Sequence, residues 1–255
     1  MSENNDKNEE KVCINRYTIV IASRRYSSWS MRAYLALRSI YDLDTFDTIQ
    51  VKIAGMHGLI EDKIIARNVI KQYNLSGKVP CLIDNNDNSI LGESLAICIK
   101  LAEENNQLLP LNTKYKYNCI AACCEMATSF TSLRSNWPFN CLMKGTKHGE
   151  MTLNTIPELK EDINRLNELW DNIYNECSNN GLYLYGNNLT ITDIFFIPVA
   201  IRFSTYDTNL TSLNTATAKN YVRNLLNHKL TIEWIQNASL ENPDLIIPSY
   251  ELYHD

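Results

Sequence analysis

The patterned part of the chain begins with an almost unbroken apolar run, Tyr17-Thr18-Ile19-Val20-Ile21-Ala22, rich in β-branched residues. Such a run predicts a strand covered on both faces, and therefore one that is central in its sheet. Ser27-Ser28-Trp29-Ser30 follows with several hydroxyls suited to capping, and Met31, Tyr34, Leu35 and Arg38 then recur at helical spacing, so a helix is expected there. Phe46, Ile49, Val51 and Ile53 approximate the alternation of a second strand, and Glu61 to Tyr73 reads as a second helix. After Gly77, the apolar runs Val79-Pro80-Cys81-Leu82-Ile83 and Ser89-Ile90-Leu91 flank the turn-forming tetrad Asn85-Asn86-Asp87-Asn88, which predicts a hairpin. Glu93-Ser94 through Glu103, carrying Leu95, Ile97, Ile99 and Leu101, predicts a third helix. The expected order of this half is βαβαββα.

From about Asn112 the strand signals cease. Tyr115 to Arg134, Pro157 to Ser178, Thr190 to Tyr206 and Thr215 to Leu226 predict long helices, so this half is expected to be all α. The fold class is therefore α+β in two domains, residues 17–106 and 112–255, with Leu108-Leu109-Pro110-Leu111-Asn112 as the linker. Residues 1–16 are polar and rich in Asn, Glu and Lys, and a disordered tail is expected there. One helix start is well marked: Thr190 and Asp193 stand at the spacing of a capping box, with Leu189 and Ile194 at the positions of a hydrophobic staple. Asp193 is accordingly given a structural role.

Composition narrows the partners. With 45% hydrophobic residues over 255 positions the chain can bury a sizeable core. Its net charge of −5, with Lys and Arg scattered among Asp and Glu, offers no basic stripe for nucleic acid or an anionic membrane. The amino-terminus has no apolar leader, and no run reaches the ~18 apolar residues of a membrane span, so a cytoplasmic protein with small-molecule or protein partners is expected. The eight cysteines show no paired spacing and are expected to be reduced. Cys119 and Cys123 lie four apart, but no further His or Cys pair completes a tetrahedral set, so no metal is expected.

Three motifs carry candidate chemistry. A hydroxyl pair such as Ser27-Ser28 at a helix start is ordinarily a cap, and Glu93-Ser94 taken alone reads the same way. Pro80, opening a strand, can take a cis bond that leaves the Val79 carbonyl and amide facing outward to pair with an extended peptide. Glu93-Ser94 at a helix amino-terminus offers backbone amides and a hydroxyl to a carboxylate, and the Glu side chain can meet an ammonium. Together they describe a site for a short zwitterionic peptide.

The order Tyr26-Ser27-Ser28-Trp29-Ser30-Met31-Arg32, then Gly77-Lys78-Val79-Pro80-Cys81-Leu82, then Glu93-Ser94-Leu95-Ala96-Ile97 resembles the glutathione transferase family. Leu133 to Asn140, and Thr192-Asp193 followed by Pro198 to Phe203, resemble a bacterial branch of it. Ser-Ser-Trp-Ser is similar to the Ser-Ser-Cys-Ser segment of zeta-class enzymes, with Trp29 in place of the cysteine. The resemblance implies a thioredoxin-like first domain, an all-helical second domain, a homodimer, and conjugation of glutathione to small electrophiles or reduction of peroxides. It implies Ser27 as the activator of the thiol, with Ser28 as substitute. Val79 is implied as the partner of the cysteinyl backbone, Pro80 as the cis-proline, Glu93 and Ser94 as binders of the γ-glutamyl group, and Lys78 as a partner of the glycyl carboxylate. Tyr26, next to Ser27, stays open as a third hydroxyl. Trp29 offers no thiol for zeta-type maleylacetoacetate isomerisation, which ranks below conjugation; a non-catalytic binding protein on the same fold is the alternative. Phe130, Trp137, Phe139 and Tyr206 are expected to line the second-substrate pocket, with Arg134 or Arg202 for a carboxylate, although aromatic residues of a helical domain are more often core.

Overall fold

The computed structural model describes residues 15–53, 59–178 and 180–255; the disorder expected for residues 1–14 lies outside them. Four strands form one mixed sheet in the order β2-β1-β3-β4. β1 (Tyr17–Ile21) is buried along its whole length, as its apolar run predicts, because it is flanked on both sides. It pairs in parallel with β2 (Phe46–Gln50) and antiparallel with β3 (Cys81–Asp84), which forms the hairpin with β4 (Ser89–Gly92). β2 was expected to reach Ile53 but ends at Gln50, since its partner strand ends at Ile21 and only Val51 N–H still bonds Ile21 O. The hairpin turn closes by its own side chains: Asp84 and Asp87 accept from Asn86 N–H and Ser89 N–H, and Asn88 takes φ 58°.

Three helices accompany the sheet: α1 (Ser28–Ile40), α2 (Ile60–Lys71) and α3 (Ser94–Asn105). α1 and α3 bury Met31, Leu35, Leu37, Ile97 and Leu101 in a core continuous with the helical half, while α2 covers a smaller cluster of Val20, Val51, Ile70 and Cys81 on the other face. Asn15 and Arg16, which the sequence places in the tail, are tied down. Arg16 pairs with Asp84 at 3.2 Å and Glu104 at 3.3 Å, and its carbonyl accepts from Asn85 N–H.

The helical half comprises α4 (Thr113–Thr128), α5 (Thr131–Asn136), α6 (Thr146–Thr155), α7 (Pro157–Cys177), α8 (Ile191–Tyr206), α9 (Ala216–Asn227) and α10 (Lys229–Ser239). The single helix expected over Tyr115–Arg134 is broken. Phe130 turns into the left-handed region at φ 56° and buries its ring, while Arg134 Nη1 donates to the carbonyls of Ala127 and Ser129 that the end of α4 leaves open. α8 is the centre of this half: nearly every residue of it is buried, including Pro198 in its interior, a pattern proper to a helix packed on all sides. Its start is the expected capping box, with Asp193 Oδ2 accepting from Thr190 N–H at 2.8 Å and Thr190 Oγ1 at 2.7 Å. No described helix is long and apolar enough to cross a membrane. The seven described cysteines are free, and burial pushes the Cys119 thiol up to about 11.

α6 crosses α8 closely at Gly149, where a Cβ would stand 1.9 Å from the Tyr206 carbonyl oxygen. Alanine in place of an interior helical glycine gains about 1 kcal/mol of helix propensity. Here the overlap is with backbone, which cannot rotate away. Gly149→Ala is expected to lower the unfolding free energy by about 1–3 kcal/mol in urea despite that gain.

Candidate functional site

Strand register brings the three motifs together. Val20 pairs with Cys81, and Cys81 with Gly92, so the loop after β1, the segment before β3 and the start of α3 after β4 all leave the same end of three adjacent strands. Ser27-Ser28, Val79-Pro80 and Glu93-Ser94 lie at that end.

Ser27 is the N-cap of α1. Its Oγ accepts from Ser30 N–H at 3.2 Å and its hydroxyl donates to Ser30 Oγ at 2.8 Å. Ser30 Oγ also accepts from Ala22 N–H, which ties the helix start to the end of β1. The hydroxyl of Ser28, the first residue of the helix, has no partner among the described residues. Tyr26 is committed elsewhere: its hydroxyl donates to Glu251, its ring stacks on Tyr250 at 5.3 Å, and burial, then the Glu251 bond, raise its pKa to about 12.

The Val79–Pro80 peptide is cis, and among the described residues neither the N–H nor the C=O of Val79 has a hydrogen-bond partner. Val79 thus presents an open backbone edge at the end of β3. Lys78 shares with Lys63 and Arg67 the wall of an open cavity of about 350 Å³ beside it. Glu93 sits at φ 66°, ψ 121°, a conformation that costs a non-glycine residue about 1–3 kcal/mol and that clusters where a site demands it. Its side chain is exposed and makes no cap bond, and Ser94 follows, buried, as the first residue of α3. The first-turn amides of α3 are thereby left without a side-chain cap.

A cluster of arginines behind α1 is not anticipated by sequence spacing. Arg32, only 1% exposed, donates to Ser28 O at 3.1 Å and to Phe195 O at 3.0 Å across the two halves, while its Nη2 is buried without a partner. Burial, then Arg202 and Arg134, hold its pKa well below the usual guanidinium value. Trp29 lies between two of these cations, 4.5 Å from Arg32 and 5.1 Å from Arg134. Arg202 makes no ion pair with any described carboxylate; it donates to Trp137 O at 2.7 Å and Pro198 O at 3.3 Å. The start of α1 is therefore electropositive from behind as well as from its own dipole.

The aromatic residues expected on a second-substrate wall are elsewhere. Phe130 is 2%, Trp137 0% and Tyr206 2% exposed, all within the main core, where Trp137 stacks on Tyr206 and meets Phe203 edge-on. Phe139 is buried beneath Arg202. Their size and apolar area place them there, at the junction of α5, α6 and α8. Of the residues assigned to this wall, Arg134 alone remains partly open.

No family model and no curated protein matches the sequence. Solved structures do. A glutathione transferase homolog from Burkholderia, with bound glutathione, superposes with a TM-score of 0.61 over 89% of this chain and 100% of its own, at 16% identity. A maleyl pyruvate isomerase, described as a bacterial zeta-class glutathione S-transferase, gives 0.61 over 89% and 99%, also at 16% identity. Ure2p in complex with glutathione gives 0.60 over 88% and 94%, at 14% identity. The chain has the fold of the glutathione transferases, a thioredoxin-like sheet domain joined to an all-helical domain.

Proposed function

We propose that the chain is a glutathione transferase that binds glutathione across the common end of β1, β3 and β4 and ionises its thiol with a serine hydroxyl at the start of α1. The observation that carries this reading is the strand register, which gathers the open backbone edge of Val79, the uncapped start of α3 and the Ser27-Ser28 pair at one sheet end. In this arrangement Val79 pairs with the cysteinyl backbone, Ser94 and the α3 amides take the γ-glutamyl carboxylate, Glu93 meets its ammonium, and Lys78 meets the glycyl carboxylate. Glutathione bound to the Burkholderia homolog and to Ure2p supports the ligand.

A free thiol has a pKa of about 8.5, and the thiolate is the nucleophile. A donated hydroxyl hydrogen, the amino-terminal dipole of α1 and the guanidinium of Arg32 behind Ser28 all favour the anion. The unengaged hydroxyl of Ser28 is the one free to donate, and Ser27, held by Ser30, sets its place. The thiolate then attacks a small electrophile, its sulfur taking the place of a leaving group, or cleaves a peroxide O–O bond, its sulfur being oxidised to a sulfenate that a second glutathione converts to the disulfide with release of water.

The test is an absorbance titration of bound glutathione thiolate between pH 5 and 10. Ser28→Ala is expected to raise a depressed thiol pKa by about 1–2 units, and Ser27→Ala to cost mainly about 1 kcal/mol of stability through the lost cap. Recovery of the free-thiol value in Ser27→Ala alone transfers the role to Ser27. Glutathione bound with an unshifted thiol leaves a binding protein in place of the enzyme.

A further inference from the structure

We infer that Glu241 is a positioning residue for the serine loop, an inference that rests on the glutathione-site reading. Residues 22–27, between β1 and α1, contain no proline to stiffen them, and the Arg24 N–H has no acceptor among the described residues of the sheet half. The partner comes from the far end of the chain. Glu241 Oε1 accepts from Arg24 N–H at 2.5 Å and from the Gln50 amide, and its Oε2 accepts from the Ser23 hydroxyl at 2.7 Å and Arg25 N–H at 3.4 Å. The Arg24 guanidinium adds an ion pair at 3.8 Å. One carboxylate, its side chain 7% exposed, thus gathers two loop amides, the Ser23 hydroxyl, the Gln50 amide and the Arg24 guanidinium.

The hold passes directly to the serines. Ser23 Oγ, bonded to Glu241, also accepts from Arg25 N–H, and the Ser23 carbonyl receives the amides of Tyr26 and Ser27, at 3.3 Å and 3.0 Å. Two further loop carbonyls are tied to the helical half as well, Arg24 O to Trp234 Nε1 and Arg25 O to Cys141 N–H. No local folding rule explains an acid at this place. Glu241 stands one residue beyond Leu240, the C-cap of α10, close to a helix end whose dipole disfavours negative charge, so the residue is misplaced for α10 and placed for the loop. Glu251 repeats the device one step along, receiving the Tyr26 hydroxyl, Asn140 Nδ2 at 3.2 Å and Arg25 at 3.4 Å.

Loss of the Glu241 carboxylate leaves Arg24 N–H, the Ser23 hydroxyl and the Gln50 amide without their acceptor, and the loop relaxes away from the conformation that presents Ser27 and Ser28. In Glu241→Ala the acid limb of the kcat/KM profile for the electrophile at saturating glutathione is expected to move up by about one unit, a loss of about tenfold at pH 6.5 that disappears above pH 9, while the affinity for glutathione below that limb, where its thiol is protonated, changes little. Glu241→Gln, which keeps one acceptor oxygen, is expected to fall between the two, and it serves should the alanine variant not fold. A smaller folded fraction would lower the whole profile without moving it. Hydrogen exchange supplies a readout that needs no ligand: in either variant, exchange across residues 22–28 is expected to accelerate at least about tenfold while α8 keeps its protection. Wild-type protein that fails to bind glutathione overturns the proposed function and leaves exchange to decide the role of Glu241. Unmoved profiles together with unchanged exchange in both variants overturn the positioning role.

Discussion

Replacing Trp137 by alanine is expected to lower the unfolding free energy by about 3–5 kcal/mol, a large part of the roughly 5–15 kcal/mol that holds a typical domain. The side chain is fully buried, its Nε1 donates to Thr152 Oγ1 at 3.0 Å, and its ring packs against Phe203 and Tyr206 at centroid distances of 5.5 and 5.6 Å. Removing it opens a cavity among α5, α6 and α8 that rigid helices cannot collapse to fill. The hydrogen bond is the lesser part, because Thr152 Oγ1 also donates to His148 O and Gly149 O and is not orphaned. Urea unfolding reads the loss. A cost under about 1 kcal/mol, accompanied by a raised KM for the electrophile, would instead return Trp137 to the wall of a substrate pocket.

What the sequence discloses and what it hides divide along the range of the interactions concerned. The central strand β1, the hairpin with its Asp84 and Asp87 turn and the Thr190–Asp193 box are each fixed by residues within a few positions of one another, and pattern reading finds them. The break at Phe130 is not of that kind, since the positive φ is held by burial of the ring and by Arg134 folding back onto α4. Nor is α6, whose Gly149 reads as a helix breaker and is required only because Tyr206 passes against it. The same division runs through the candidate site. Ser27-Ser28, Val79-Pro80 and Glu93-Ser94 are readable as short motifs, but the groups that tune them reach across 163 residues from Arg32 to Phe195, 217 from Arg24 to Glu241 and 225 from Tyr26 to Glu251. One local signal exists for the last group: acidic residues beyond the end of a final helix, where no dipole favours them. The aromatic residues erred in the opposite direction, because a large apolar side chain near a functional motif carries the same letter whether it faces a ligand or the core.

Asp193→Asn, nearly isosteric, is expected to cost about 2–4 kcal/mol, and Asp193→Ala more. The carboxylate is fully buried and accepts from four donors: Thr190 N–H and Oγ1 on Oδ2, and Tyr221 Oη at 2.9 Å with Leu184 N–H at 3.3 Å on Oδ1. Burial raises its pKa, against the lowering pull of Thr190, Tyr221 and Leu184. Asparagine can turn its oxygen to only one of these pairs, so its amide group must face the other pair of donors and leave them buried without acceptors. The loss falls where three pieces of chain meet, the start of α8, the ring of Tyr221 on α9 and the segment at Leu184. α8 in turn supplies the Phe195 carbonyl that receives Arg32 from behind the serine pair. Since Asp193 touches no group of the candidate site, the unfolding midpoint should fall with glutathione affinity of the folded protein unchanged. Full stability in Asp193→Asn would mean that hydrogen-bond geometry at this helix start is satisfied by either group, and that its charge is dispensable to the fold.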